Sequence, residues 1–353
     1  MQTRRLKADE QGILEAADRI RSGDLVAFPT ETVYGLGASV YDAAAVQAIF
    51  AAKGRPGDNP LIAHVLGIRD AQALGEWTPL AQTLAEAFWP GPLTLIVKRR
   101  PQVSSVVSAG LPTIALRAPS HPVARALIAA AGVPIAAPSA NRSGRPSPTT
   151  ADHVMEDLGG IIPLVLDGGA SEVGLESTVV DATSEIPLVL RPGAVTPEML
   201  ATVAGECRVA EAVMRQLREG EYAPSPGMRH KHYAPKARMT LVEGSGDEVA
   251  AALTALTANA PNTWALALAD IIPQGAGPQW RSLGRDAGEA AHNLFYLLRE
   301  ADHQGVKRIY VQALRRDGMG LAVMNRLARA AGFDIKTARE LLQGQHDKKG
   351  NTE

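Results

Sequence analysis

Along the first two hundred residues, short apolar runs alternate with stretches in which apolar positions return every three or four residues. Leu25–Phe28 is a continuous apolar run ended by Pro29, which predicts a buried strand. Asp42 then precedes Val46, Ile49 and Phe50, the spacing of a helix face with an acidic N-cap. Further runs predict strands at Leu61–Val65, Leu93–Lys98, Thr113–Arg117, Pro134–Ala137, Leu164–Leu166, Ser177–Asp181 and Leu188–Leu190. Helical periodicity marks Pro79–Phe88, His121–Ala131 and Ala151–Leu158. Strands outnumber helices and several follow one another directly, so the expected fold class is α/β with a mixed, twisted sheet.

The pattern changes near Gly205. A short helical stretch, Ala210–Gly220, leads into APSPGMRHKHYAPKA at Ala223–Ala237, rich in Pro, Gly and positive charge and without core periodicity. Beyond it come strand Met239–Val242, helix Gly246–Ala258, strand Trp264–Leu268, helix Ala287–His303, strand Arg308–Gln312 and helix Leu321–Ala331. This order predicts a small, Rossmann-like doubly wound domain. The expected organisation is a catalytic domain over 1–204, a linker or lid over 205–237, a second domain over 238–342 and a disordered charged tail over 343–353.

With 353 residues, 46% of them hydrophobic, the chain has enough apolar side chains for more than one core. A formal charge of −1 gives no global basic field, so any polyanion site must be a local cluster. The single Cys207 excludes a disulfide framework and a Cys-rich zinc module, and it fits a reducing compartment. The N-terminal MQTRRLKADEQG lacks the apolar run of a signal peptide, and no stretch approaches the ~20 apolar residues of a membrane span. The expectation is a soluble cytoplasmic protein with no membrane partner.

Polar residues cluster where a plain core protein has no use for them. In AKGRPGDNPLIAHV (Ala52–Val65), Lys53 and Arg55 stand where a helix gives way to a Gly/Pro loop, and Asn59 precedes a strand. These cations suit phosphate oxygens, and they equally suit the negative end of a helix dipole. In PIAAPSANRSGRPSPTT (Pro134–Thr150), Ser139, Asn141, Ser143 and Ser147 interleave with Arg142 and Arg145. Small residues and hydroxyls let a loop approach an anion; an ordinary surface loop has the same composition. Arg117 and Arg191 each end an apolar run, so each guanidinium should emerge beside the core and need a bound anion or an internal carboxylate. The chain lacks GxxxxGK(S/T), GxSxG and HExxH, which removes Walker-type ATPases and the common hydrolases. GMGLAV at Gly318–Val323 reads as helix-start packing. His230 and His232 have no third metal ligand nearby in sequence, so no metal site is expected within the protein.

Seven segments in consecutive order resemble the YrdC-like threonylcarbamoyl-AMP synthases. They are PTETVYGLG (Pro29–Gly37), KGRPGDNPLIAH (Lys53–His64), WPGPLTLI (Trp89–Ile96), LPTIALRAP (Leu111–Pro119), APSANRSGRPSPT (Ala137–Thr149), GLESTVVD (Gly174–Asp181) and LRPG (Leu190–Gly193). SPGMRHKHYAPKA and GLAVMNRLARAAG (Gly320–Gly332) resemble the linker and C-terminal domain of the family's long, two-domain form. The resemblance implies synthesis of threonylcarbamoyl-AMP and pyrophosphate from L-threonine, bicarbonate and ATP, with Mg²⁺ held mainly by the ATP phosphates. It further implies a functional link to a tRNA threonylcarbamoyl transferase acting beside the anticodon. Carried over by motif position, the threonine pocket is Thr32, His64, Arg117, Ala137 and Ser177. The ATP site is Arg55, Asn59, Thr113, Ser139, Ser147, Arg191 and Tyr233. Lys53 with Arg55, and Ser139 with Asn141, form the catalytic KxR and SxN signatures. Arg117 then suits the threonine carboxylate, and Thr32 the substrate hydroxyl. No dedicated nucleophile is required, because positioning and charge neutralisation carry such a phosphoryl step. Two other readings remain at this level. One is an RNA-binding module, disfavoured by only 4% aromatic residues; weak RNA contact stays compatible with the enzyme. The other is a hydrogenase-maturation carbamoyltransferase, whose zinc modules a single cysteine cannot supply.

Overall fold

The computed structural model describes residues 1–54, 57, 59–215 and 233–343. The chain forms two compact units, one over Met1–Val213 and one holding the described residues from Tyr233 onward. Arg55, residues 216–232 (most of the expected linker or lid) and the tail beyond Gln343 lie outside the described residues.

In the first unit the strands are β1 (Arg4–Lys7), β2 (Val26–Phe28), β3 (Gly35–Ser39), β4 (Ile62–His64), β5 (Gly75–Glu76) and β6 (Leu93–Arg99). They continue with β7 (Thr113–Arg117), β8 (Ile135–Ala136), β9 (Leu164–Asp167), β10 (Thr178–Asp181), β11 (Leu188–Arg191) and β12 (Arg208–Val209). One sheet joins them in the order β1-β9-β2-β3-β8-β4-β7-β6-β10-β11-β12, with β5 added on β6. Parallel pairs such as β4 with β7 mix with antiparallel pairs such as β6 with β7, as the direct strand-to-strand passages predict.

Alternation along the strands decides which face each side chain serves. One face buries Leu36, Ala63, Leu95, Leu116, Val180 and Val189 in the main core. On the other face, Val26, Phe28, Ile135 and Leu164 pack with helices Glu10–Arg21 and Pro122–Ala131. A smaller apolar stripe further along contains Ile62, Ile96, Ala115 and Val179. His64 alternates onto the face of Ile62, and Arg117 onto that of Ala115. The helix predicted after Asp42 spans Ala43–Lys53, and the Asp42 carboxylate accepts a hydrogen bond from the Ala45 N–H.

Not every element follows from the apolar pattern. β1 is largely exposed, and helix Glu10–Arg21 follows it behind an Asp9 cap. β3 reads GLGAS, a poor strand by propensity, yet all five residues are buried. A Cβ on Gly37 would stand 2.7 Å from both Ile135 and Phe28 side-chain atoms, so close packing calls for glycine there. The helical stretch read at Ala210–Gly220 is a 3₁₀ turn over Glu211–Val213 within the described residues.

The second unit has β13 (Arg238–Glu243), β14 (Thr263–Leu268), β15 (Trp280–Gly284), β16 (Arg308–Gln312) and β17 (Ile335–Thr337). All pair in parallel, in the order β15-β14-β16-β13-β17. Helix Gly246–Thr257 buries Val249 and Leu253 against Val242 and Ala265. Helices Ala287–His303 and Gly318–Ala330 pack on each other, the first also against β15 and the second against β13. At the start of the last helix, a Cβ on Gly320 would lie 2.2 Å from the Arg315 carbonyl oxygen, so GMGLAV is a packing feature. Tyr233 is buried in this unit, its ring 5.3 Å from that of Phe295 and 5.8 Å from the Arg326 guanidinium.

Candidate active site

Sheet register assembles the first group of polar residues. β4 and β7 run parallel with His64 beside Arg117, and antiparallel β6 brings Thr94 to the same row, one step past the Leu95–Leu116 pair. All three side chains are buried. Above the row lies the turn between β2 and β3, where the Thr30 hydroxyl donates to the Val33 carbonyl and contacts the Thr32 hydroxyl at 2.8 Å. Arg117 Nη1 donates to Thr32 Oγ1 at 2.8 Å, and its Nη2 lies 2.8 Å from the Glu31 carboxylate. The internal carboxylate that the sequence left open for Arg117 is therefore present.

Electrostatics fix the states of these groups. Burial, followed by the Arg117 charge, pushes the His64 pKa down to about 3, so the ring is neutral near pH 7. Its Nδ1 lies 3.2 Å from the Ile62 carbonyl oxygen, which can only accept. A ring proton on Nδ1 would satisfy that carbonyl and leave Nε2 as an acceptor. For Glu31, burial pushes its pKa up, but the adjacent Arg117 more than offsets this and holds the carboxyl below its usual range. A neutral acceptor, an ionised carboxylate, a guanidinium and hydroxyls thus share one buried patch.

A second group forms around the loop after β8. Lys53, at the last turn of its helix and only 3% exposed, donates from Nζ to the carbonyl oxygens of Ser139 and Asn141. Ser139 Oγ donates to Asn141 Oδ1 at 2.6 Å, while Asn141 Nδ2 donates to the Arg142 and Arg145 carbonyls at 2.9 Å each. Lys53 and Asn141 therefore shape the loop that presents Ser139. Of the loop cations, Arg142 is exposed, whereas Arg145 pairs with Glu156 and Asp157.

The third group lies where β10 and β11 meet. Arg191 Nε donates to the Ser177 carbonyl at 3.0 Å and Nη2 to Ser177 Oγ at 3.1 Å; Ser177 Oγ is 2.8 Å from Thr94 Oγ1. Through Thr94 this group joins the His64–Arg117 row. Buried Ser147 donates its hydroxyl to Glu176, the residue before Ser177. Ala137 follows β8, its N–H donating to the Ile62 carbonyl. Thr113 begins β7 four residues before Arg117, and Asn59 lies half-buried before β4.

The structure adds participants that spacing did not mark: Glu31, Thr94, Asp157 and Glu176. Glu31 and Glu176 lie inside the quoted motifs, so a buried acid next to a site residue was the available signal. Thr94 lies inside a quoted motif too, WPGPLTLI, but beside no assigned residue, so only sheet register reveals its partners; Asp157 lies outside the motifs and is brought in by loop packing.

The architecture defines a two-unit α/β protein whose larger unit is a mixed sheet with a buried, polar, cation-lined face. A family model named Sua5_yciO_yrdC and described as "Telomere recombination" matches residues 18–193. One described as "Threonylcarbamoyl-AMP synthase, C-terminal domain" matches residues 195–332. A Pyrococcus abyssi protein named threonylcarbamoyl-AMP synthase is 45% identical over 94% of this chain and 97% of its own length. A Bacillus subtilis protein of the same name is 42% identical over 94% of this chain and 96% of its own. The crystal structure of P. abyssi Sua5 complexed with L-threonine superposes with a TM-score of 0.88 at 43% identity, covering 95% of this chain and 98% of that one. The chain belongs to the threonylcarbamoyl-AMP synthase family, enzymes of the nucleotidyltransferase type, in its two-domain form. Among the described residues no helix is long and apolar enough to cross a membrane.

Proposed function

We propose that the chain joins L-threonine, bicarbonate and ATP into threonylcarbamoyl-AMP, releases pyrophosphate, and supplies a transferase that modifies the adenosine beside a tRNA anticodon. The observation that carries this reading is the buried constellation of His64 and Arg117 on one sheet face with Thr32 in the turn bonded to Arg117. Arg117 takes the amino acid carboxylate, and Nε2 of neutral His64, with Thr32, pairs the side-chain hydroxyl. An amino acid without that hydroxyl leaves those groups unpaired and is rejected. That a relative's structure is titled as a complex with L-threonine supports the assignment.

The nucleotide lies toward Ser139, Ser147 and Arg191, with Arg55, Asn59 and Thr113 assigned to it by motif position. Tyr233 carries the same motif assignment from the second unit. The bound ammonium gives up a proton, and the resulting amine condenses with bicarbonate to threonine carbamate with release of water; a carbamate oxygen then attacks the α-phosphorus, and pyrophosphate leaves. The residues position the reactants and offset negative charge. Mg²⁺ fits this donor set only through ATP, because hydroxyls and cations dominate it; triphosphate oxygens and water would hold the ion. Bound there, it would supply charge neutralisation on the phosphates. The test is pyrophosphate release from ATP, expected only when threonine and bicarbonate are both present. Release that ignores either one refutes the reading.

A further inference from the structure

The patch around Arg117 contains one charge that the motif assignments leave unused. Glu31 is 4% exposed, with its carboxylate 2.8 Å from Arg117. Arg117 and the backbone N–H groups of Glu31 and Ser120 lie near enough to favour the ionised carboxylate, yet both Glu31 oxygens and Arg117 Nη2 are buried without a hydrogen bond of full linear geometry. Two desolvated ions are costly to bury, and native proteins usually offset that cost by filling their hydrogen-bonding capacity. Here both members of the pair keep capacity for a further group that carries both charges.

A free amino acid is such a group. Near neutral pH it is a zwitterion, and a buried pocket must offer an opposite charge to each end. Arg117 answers the carboxylate. The ammonium needs an anion, and the other residues assigned to the pocket cannot provide one. Thr32, Ala137 and Ser177 carry no charge, and His64 is neutral. Glu31, beside Thr32 in the same turn, is the anion in contact with Arg117. Its backbone is fixed as well, because its carbonyl accepts from the Val173 N–H at 2.8 Å.

We propose that Glu31 binds the ammonium group of L-threonine, so that the Arg117–Glu31 pair offers one charge to each end of the amino acid. The inference rests on the threonine reading and deepens it: Glu31 selects an α-amino acid over the matching α-hydroxy acid. Dissociation constants of L-threonine and of (2S,3R)-2,3-dihydroxybutanoate, which keeps the carboxylate and both carbon centres but replaces the ammonium by hydroxyl, test it by calorimetry. The wild-type protein should bind threonine at least ~10-fold more tightly than the hydroxy acid. Glu31→Gln should weaken threonine at least ~10-fold and the hydroxy acid less than ~3-fold. Equal wild-type affinity for the two acids overturns the proposal, and that comparison stands even where the variant does not fold. Equal weakening of both acids in Glu31→Gln also overturns it, since Glu31 would then only orient Arg117. Wild-type protein that binds ATP but not threonine overturns the pocket reading itself, and Glu31 with it.

Discussion

Arg117 shows how much one side chain can be asked to do. Its guanidinium is buried, touches Thr32 and Glu31, and is assigned to the substrate carboxylate. Arg117→Ala should weaken threonine binding by about 2–5 kcal/mol, the usual loss when one partner of a desolvated charge pair is removed. The ATP requirement should change far less, which steady-state kinetics with each substrate varied in turn will read. His64 gives a prediction in pH. Its ordinary pKa of 6.5 applies to the unfolded chain and about 3 to the folded one. Below pH 6.5 the unfolded chain takes up a proton that the folded protein excludes, so stability falls as pH drops from 6.5 towards 3. The loss reaches on the order of a few kcal/mol. His64→Gln should flatten this stretch of the stability curve, measured as the urea midpoint against pH.

At the level of elements, the site depends on how a loop and two strand ends are held. Lys53 reaches from the end of its helix to the Ser139 and Asn141 carbonyls, and loop and helix lie 86 residues apart in sequence. Removing that charged donor in Lys53→Ala should cost about 1.5–3 kcal/mol of stability, the scale of a charged hydrogen bond. Turnover should fall with it, because Ser139 loses its support. Lys53→Arg should restore little, since a planar fork does not replace a compact ammonium between two converging carbonyls. Urea unfolding and pyrophosphate release separate the two effects. Gly193 marks the other junction. A Cβ there would lie 2.5 Å from the Thr178 N and 2.9 Å from the Glu176 carbonyl oxygen, both backbone atoms. Gly193→Ala should therefore shift the start of β10, where Ser177 meets Arg191, and destabilise the protein by about 1–3 kcal/mol. A lower Tm together with a raised ATP requirement is the expected pair of results.

On the scale of the whole molecule, the division into two units separates the assignments. Thr32, His64, Arg117, Ala137 and Ser177 all lie in the first unit, which has its own apolar core. A fragment over residues 1–213 should fold cooperatively and bind L-threonine within ~3-fold of the full chain, as read by calorimetry. Loss of threonine binding by a folded fragment would show that the second unit contributes to the pocket. Tyr233 stands on the other side of that division, packed on Phe295 within the second unit. Its assignment to the nucleotide rests on motif position alone.

Much of this was legible before any coordinates. Runs such as Leu93–Lys98 and Thr113–Arg117 became strands because an apolar run between breakers has few other ways to be buried. Asp42 announced its helix because a side-chain cap acts within four residues. The ordered motifs carried the family, since substrate chemistry constrains residue types at fixed local spacing. Propensity could not foresee β3, where glycine is chosen by the side chains of Ile135 and Phe28, from distant stretches of chain. Nor could spacing decide whether Arg117 faced an anion or a carboxylate of its own, or that Lys53 would reach the Ser139 and Asn141 carbonyls. Local pattern thus determined many of the elements and the family, because caps, periodicity and motifs are short-range. Only the tertiary structure chose the partner of each buried charge, because sheet register and loop packing decide which distant groups share one low-dielectric patch.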